Sequence, residues 1–473
     1  DEGSAHPMPG WEKVKRGAVF LSRPANPADN SAARCALIAA AMNFPRLLPL
    51  LAVLLPVLPL PADDWPQWRG PNRDGTWTET GIVDSLPAGK LTPKWTTPIG
   101  AGYSSPSIAE GRVFITDHVS EPQSQERIHC FDAETGKPLW SHAYDCAYQQ
   151  IDYALGPRAA VSVADGRAFA LGAMGHFHCL DAATGKVLWA KDLVSEYRAD
   201  LPIWGISSAP LVVGDRVIIQ IGGRPDACVI ALEAGTGREL WRALDGKASY
   251  SAPRLIRQGE KDVVLAWTGE WLAALDPATG APAWKLPYRK NKMVINVPDP
   301  VLNETGDLVF LSAFYDGSQL LRLTPSGAET VWKREGFSER RTDALHCMIS
   351  TPFIRGGHVF GVDSYGEFRC LDLANGDRVW TDDTLLENGR WATAYFVQNG
   401  DRTWITTEKG ELIIASVTPQ GFKRLSSAQL IEPTTRLRGR NHLIDWSHPA
   451  FAQRCVFARN DEELVCVSLA AER

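Results

Sequence analysis

The chain contains no block rich in Lys and Arg. Its 49 basic residues are outnumbered by 55 acidic ones, and the formal charge of −6 excludes a surface built to track nucleic-acid phosphates. Neither Gly-x-Ser-x-Gly nor His-Glu-x-x-His occurs, so the common hydrolase and zinc-protease motifs are missing. A membrane-length apolar run is missing too, because the stretch from Leu47 to Leu60 is short and broken by Pro49, Pro56 and Pro59. Met42 to Ala62 instead has the basic start, apolar middle and small final residue of a secretory signal. Residues 1–41 are therefore read as a non-native or disordered extension and residues 42–62 as a signal peptide. The mature chain is expected to be exported, periplasmic or extracellular, and to have no transmembrane segment.

Cysteine is limited to nine residues, in a compartment that would permit disulfides. Cys130, Cys179, Cys370 and Cys466 recur at one position of the repeat described below, as small buried apolar residues do. Cys455 and Cys466 flank Asn460-Asp461 symmetrically, which in a tight hairpin would set them opposite each other and allow a cross-strand disulfide. His346, Cys347 and Cys146 share no recurring ligand spacing, so no metal site is expected.

Turn formers and tryptophan are plentiful: 40 Gly, 32 Pro and 17 Trp. They are ordered by a repeat. CFDAETGKPLW (Cys130 to Trp140) returns as CLDAATGKVLW (Cys179 to Trp189), ALEAGTGRELW (Ala231 to Trp241), ALDPATGAPAW (Ala274 to Trp284) and CLDLANGDRVW (Cys370 to Trp380), with RLTPSGAETVW (Arg322 to Trp332) a degenerate copy. In each, Asp and Gly make a tight turn and the next strand ends in a tryptophan expected to wedge between sheets. Upstream lies a small polar cluster with Pro and two more strands, as in SSPSIAEGRVFITD (Ser104 to Asp117). Four short antiparallel strands per unit make a propeller blade.

First strands near Ser104, Ala159, Ser208, Ser251, Asp299, Ser350, Ala392 and Ser447 give eight blades. The last unit stops after its third strand, and KLTPKWTTPI (Lys90 to Ile99) supplies the fourth, with Trp95 as its wedge. The expectation is an all-β, eight-bladed β-propeller of four-stranded blades over residues 90–473, closed by pairing of N- and C-terminal strands. A Trp-rich segment at 63–89 is expected to lie on its surface, at the rim or on a face.

The turn-and-tryptophan motif and the eightfold count resemble the pyrroloquinoline quinone (PQQ) repeat propellers, a superfamily that includes quinoprotein alcohol dehydrogenases and BamB. DWPQWRGPNRDG (Asp64 to Gly75) looks like the N-terminal tag of PQQ-like propellers. The dehydrogenases of the superfamily hold PQQ at the channel mouth, between a Trp and a disulfide of two adjacent Cys, together with Ca²⁺ and an Asp base. Adjacent Cys and the Cys-x-x-Cys-His haem motif are both absent here. The resemblance thus implies a non-catalytic binding or scaffold module that takes a protein, peptide or glycan partner. The alternative it implies is a PQQ- and Ca²⁺-dependent dehydrogenase of an alcohol or sugar.

Any ligand is expected where long connectors between blades converge on the channel. Tyr103, Tyr250 and Trp446 share one repeat position there, with Trp204 and Trp391 close to it. Arg158, Asn296, His346, Arg390 and Asp445 are the polar candidates at that rim.

Overall fold

Each copy of the motif folds for a local reason. Asp132 Oδ1 accepts from the Thr135 N–H at 2.8 Å and from the Thr135 hydroxyl at 2.7 Å, and Gly136 supplies the positive φ of 69° that ends the turn. Asp181 with Thr184 and Asp276 with Thr279 repeat the arrangement. The strand that follows carries a β-bulge one residue before the tryptophan: Cys130 pairs with Trp140, but Phe131 pairs with Pro138. The bulge throws Leu139 outward and aims Trp140 at the next blade. Leu188, Val331, Val379 and Leu425 are the equivalent bulge residues, which accounts for their exposure on an otherwise polar rim.

The computed structural model describes residues 63–288 and 293–472, all within one unit that begins at Pro59. Both the 1–41 extension and the 42–62 signal lie outside the described residues. Eight four-stranded antiparallel sheets form the ring. Blade 1 comprises Ser107–Ala109, Arg112–Val119, Gln125–Asp132 and Pro138–Asp145. In blade 8, Ala450–Ala452, Cys455–Arg459 and Glu463–Ser468 are completed by Trp95–Pro98, with Trp95 opposite Cys466. No helix of the described residues is long and apolar enough to cross a membrane.

Tryptophans latch each blade to the next. Trp95, Trp140, Trp189 and Trp241 donate their indole N–H to Ala133 O, Ala182 O, Ala234 O and Pro277 O, each in the turn of the following blade. Trp332 and Trp380 do the same to Leu373 O and Thr418 O. A Cβ on Gly185 would sit 2.5 Å from the Trp140 ring, so the turn glycine serves close approach as well as backbone conformation. Trp140, Trp189, Trp332 and Trp380 are only half-buried, whereas Trp95, Trp241 and Trp284 at the same repeat position are buried. Two joints differ. Blade 5 has the degenerate turn, and there Trp284 donates to Gln258 Oε1 at 2.9 Å while the Gln258 amide donates to Thr324 O and Gly327 O. In blade 7 Ser426 stands where the tryptophan would, and the N-terminal arm fills in: Leu86 N donates to Ser426 Oγ at 2.9 Å and Leu91 N to Gln429 O.

Two expectations need correcting. Cys455 faces Ser468 and Cys466 faces Phe457, so the two are diagonal neighbours rather than opposite, with their thiols hydrogen-bonded to each other and no disulfide between them. Asn460 Oδ1 accepts from the N–H groups of Glu462 and Glu463, which widens the turn and shifts the register by two residues. The segment 63–89 is also not confined to the surface. Trp65 bridges to Ile108 of blade 1 and Thr76 to Gln398 of blade 7, and between them Arg69 and Arg73 are buried.

Candidate functional site

The first-to-second and third-to-fourth strand turns lie on one face, and the long connectors lie on the other. Along the axis between them, the inner strands are tied by hydroxyls rather than by ladders: Ser107 Oγ donates to Val161 O of blade 2, and Ser162 Oγ to Pro210 O of blade 3. This is the work of the small polar clusters in the repeat. Small residues there also leave room, and Trp68 packs on Ala160, Ala209 and Ala252.

Trp68 belongs to a strap that closes the turn-face end. Its indole donates to Asp299 Oδ2 at 2.6 Å, with Arg69 Nη1 3.8 Å from the same oxygen. Arg73 donates to Ala209 O at 3.2 Å and Pro253 O at 3.0 Å, and to Pro210 O. Burial lowers Arg73 to about 10, so it remains a cation that neutralises carbonyl dipoles at the channel floor. Beside the strap a groove of about 1210 Å³ opens among residues of mixed charge such as Arg254, Glu304 and Arg355. Arg254 is paired with Asp74 at 3.7 Å.

The connector end is aromatic. Tyr153, from the blade 1–2 connector, stands between Trp204, Trp391 and Trp446 at centroid distances of 6.3, 5.8 and 5.7 Å. Trp204 packs on Tyr250 at 5.0 Å and on Trp391 at 5.9 Å. Below these rings and above Trp68 lies a cavity of about 150 Å³. Tyr153 and Trp391 have φ of 55° and 67°, left-handed conformations that cost a bulky residue about 1–3 kcal/mol each. Tyr103 Oη, Trp391 Nε1 and Trp446 Nε1 are buried without a hydrogen-bond partner among the described residues. Phe337, on another connector, is 80% exposed.

Six of the ten sequence candidates line this cavity: Tyr103, Arg158, Trp204, Tyr250, Trp391 and Trp446. Arg158 donates to Asp152 O at 3.1 Å, to Tyr153 O at 2.6 Å and to Gly156 O, and lies over the Tyr103 ring. Arg390 lies outside, stacked 4.6 Å over Trp391 and donating to Tyr315 Oη at 3.1 Å. The other three do not line it. Asn296 pins blade 4 by donating to Thr268 O, and buried His346 faces Phe314 O, kept neutral because burial lowers its pKa. Asp445 sits behind Trp446, where burial raises it to about 7 against the opposing pull of the Ser447 N–H, the Ser447 hydroxyl and the Arg459 charge. Tyr153, Trp68 and Tyr395 were not among the candidates. The aromatic content of the 141–157 connector and of the DWPQWRGP tag was the only signal for Tyr153 and Trp68, and Tyr395, on the first strand of blade 7, gave none.

With Tyr153 in place, PQQ and Ca²⁺ do not fit these residues. The space is half or less of the roughly 300 Å³ at which small-molecule pockets begin. The cavity's carboxylate, Asp299, is engaged by Trp68 and by the Ala252 N–H, with Arg69 close by. Among the described residues no three His, Cys, Asp or Glu side chains group as metal ligands.

Eight blades, seven of them carrying the latching tryptophan, around a capped axial channel define a propeller of the PQQ-repeat class. The family model described as outer membrane protein assembly factor BamB matches residues 124–382, more than half of the chain. The chain belongs to that BamB family. It is 26% identical to the outer membrane protein assembly factor BamB of Burkholderia pseudomallei over 66% of this chain and 74% of that protein. It is also 26% identical to the quinoprotein ethanol dehydrogenase of Pseudomonas aeruginosa, over 60% of this chain but only 38% of the dehydrogenase. Among solved structures, BamB from Moraxella catarrhalis superposes with a TM-score of 0.56 at 14% identity, covering 80% of this chain and 99% of that one. The quinohemoprotein alcohol dehydrogenase of Comamonas testosteroni gives 0.54 at 13%, covering 87% and 81%. At such identities these structural likenesses concern the fold.

Proposed function

We propose that the protein is an exported, non-catalytic binding module that docks a protein or peptide on its connector face. The observation that carries this reading is the mouth itself: a closed cluster of aromatic rings stands where a catalytic relative would need an open cofactor pocket. Membership of an assembly-factor family supports it, as does an 80% exposed Phe337 on the same face, since large aromatics anchor protein interfaces. The signal-like segment Met42 to Ala62 supports export.

Photo-crosslinking amino acids at Leu155 and Phe337, and at Leu188 on the outer rim, test the reading in the producing cell. Adducts to one protein are expected from the two connector positions and not from the rim. Adducts from the rim alone would overturn the proposal. Retention of added PQQ and Ca²⁺ with dye-linked alcohol oxidation would overturn it as well.

A further inference from the structure

We infer that the mouth is a receptacle for the aromatic side chain of an acidic, extended partner segment, and that Tyr153 fills it in cis until that segment arrives. The inference rests on the docking reading above and names the chemistry of its partner.

Tyr153 occupies the centre of the ring cluster, yet it is held there by little. Its neighbours Asp152, Ala154 and Leu155 are exposed, and the segment belongs to no sheet. Its main ties are the Asp152 N–H to Ile203 O at 2.6 Å and the Arg158 guanidinium on the carbonyls of Asp152, Tyr153 and Gly156. Gln150 and Tyr153 are both left-handed, with φ of 59° and 55°, a conformation that surroundings must impose on residues with side chains. The segment can therefore leave without breaking a strand and would relax on leaving.

What it would uncover defines the replacement. Trp204, Trp391 and Trp446 would present ring faces and edges to a planar group. Trp391 Nε1, Trp446 Nε1 and Tyr103 Oη, buried and unpartnered while Tyr153 is in place, are donors suited to the carbonyls of an extended backbone. Arg158 would lose the Asp152 and Tyr153 carbonyls and keep only that of buried Gly156, and a guanidinium left in that setting calls for a carboxylate. Arg390, stacked on Trp391 at the rim, has no carboxylate partner among the described residues either. These two cations disfavour a quaternary ammonium, the other usual guest of an aromatic cage. The cis occupant already has the required chemistry, an acid followed by an aromatic: Asp152-Tyr153.

A fluorescein-labelled octapeptide copying residues 149–156, QQIDYALG, is the probe, read by anisotropy against the mature chain. Tyr153→Ala should bind it roughly tenfold more tightly than the parent, because a closed majority state lowers apparent affinity by its own population. Tyr153→Phe, which keeps a ring in cis, should behave as the parent. Peptides with Tyr replaced by Ala, or Asp by Asn, should lose about tenfold against Tyr153→Ala. Equal affinity of parent and Tyr153→Ala, absence of binding by both, or indifference to either peptide change would overturn the receptacle. If the peptide fails while Leu155 and Phe337 still crosslink one partner, docking stands and the receptacle falls. If the peptide behaves as expected but only the rim crosslinks, the receptacle stands and the wider docking face falls.

Discussion

The two ends of the axial channel are closed by opposite chemistries. At the turn face, Arg73 lies on inner-strand carbonyls and Trp68 on Asp299, although Trp65 Nε1 is buried there without a partner among the described residues and Arg69 and Arg73 are themselves left-handed. At the connector face, aromatic rings close the mouth over three unpartnered donors, and two of the rings stand on left-handed backbone. Both ends carry left-handed residues, and they differ in their ties: charged and polar side chains bind the strap to the inner strands, while the mouth is closed by ring packing over more unmet hydrogen bonds, a feature of regions that open below the global unfolding threshold. The same repeat builds both ends, and the difference lies in what is laid across them.

Removing the arginine cap should break the contrast most strongly. Arg73→Ala leaves carbonyls of blades 3 and 4 buried without their donor, and a loss of about 4 kcal/mol in urea unfolding is expected. A loss under about 1 kcal/mol would mean that the floor is no firmer than the mouth. The next effect is pH. Asp445, raised from 3.8 to about 7, binds its proton more tightly when folded, so its stabilising contribution is full below pH 4 and is lost as pH rises toward 7. The expected fall is about 4 kcal/mol, flat above that range, and Asp445→Asn should abolish it in urea midpoints measured from pH 4 to 8. Smallest, and sharpest, is a paired substitution. Trp140→Phe loses an indole bond to Ala182 O and should cost about 2 kcal/mol, whereas Trp391→Phe deletes an unpartnered donor and should change stability by less than about 1 kcal/mol.

The ring was legible because its information is periodic: the Asp-x-x-Thr-Gly turn and the tryptophan after it recur at a spacing set by blade geometry, and Trp95 opposite Cys466 follows from counting. Departures from the period were not legible. Gln258 bridges a degenerate turn from a different strand, and Asn460 widens a hairpin that looks two residues long. The mouth was half legible. Tyr103, Tyr250 and Trp446 share a repeat position, but Tyr153 reaches the centre through a left-handed backbone that no propensity favours for tyrosine. Asn296, His346 and Asp445 have the polar side chains of a rim and the burial of a core, and sequence cannot separate those two.

The irregular joints make blade order part of the fold. Six tryptophan latches are interchangeable in kind, but blade 4 supplies a glutamine that suits only a neighbour with the degenerate turn, and blade 7 offers a serine that suits only a chain whose arm passes over it. Swapping two blades in a gene would thus leave every repeat well formed and still spoil the ring at these two seams. Because the arm is continuous with the strap, the seam at Ser426 also fixes how far round the circle the plug is delivered, giving a nearly symmetric object a single rotational setting.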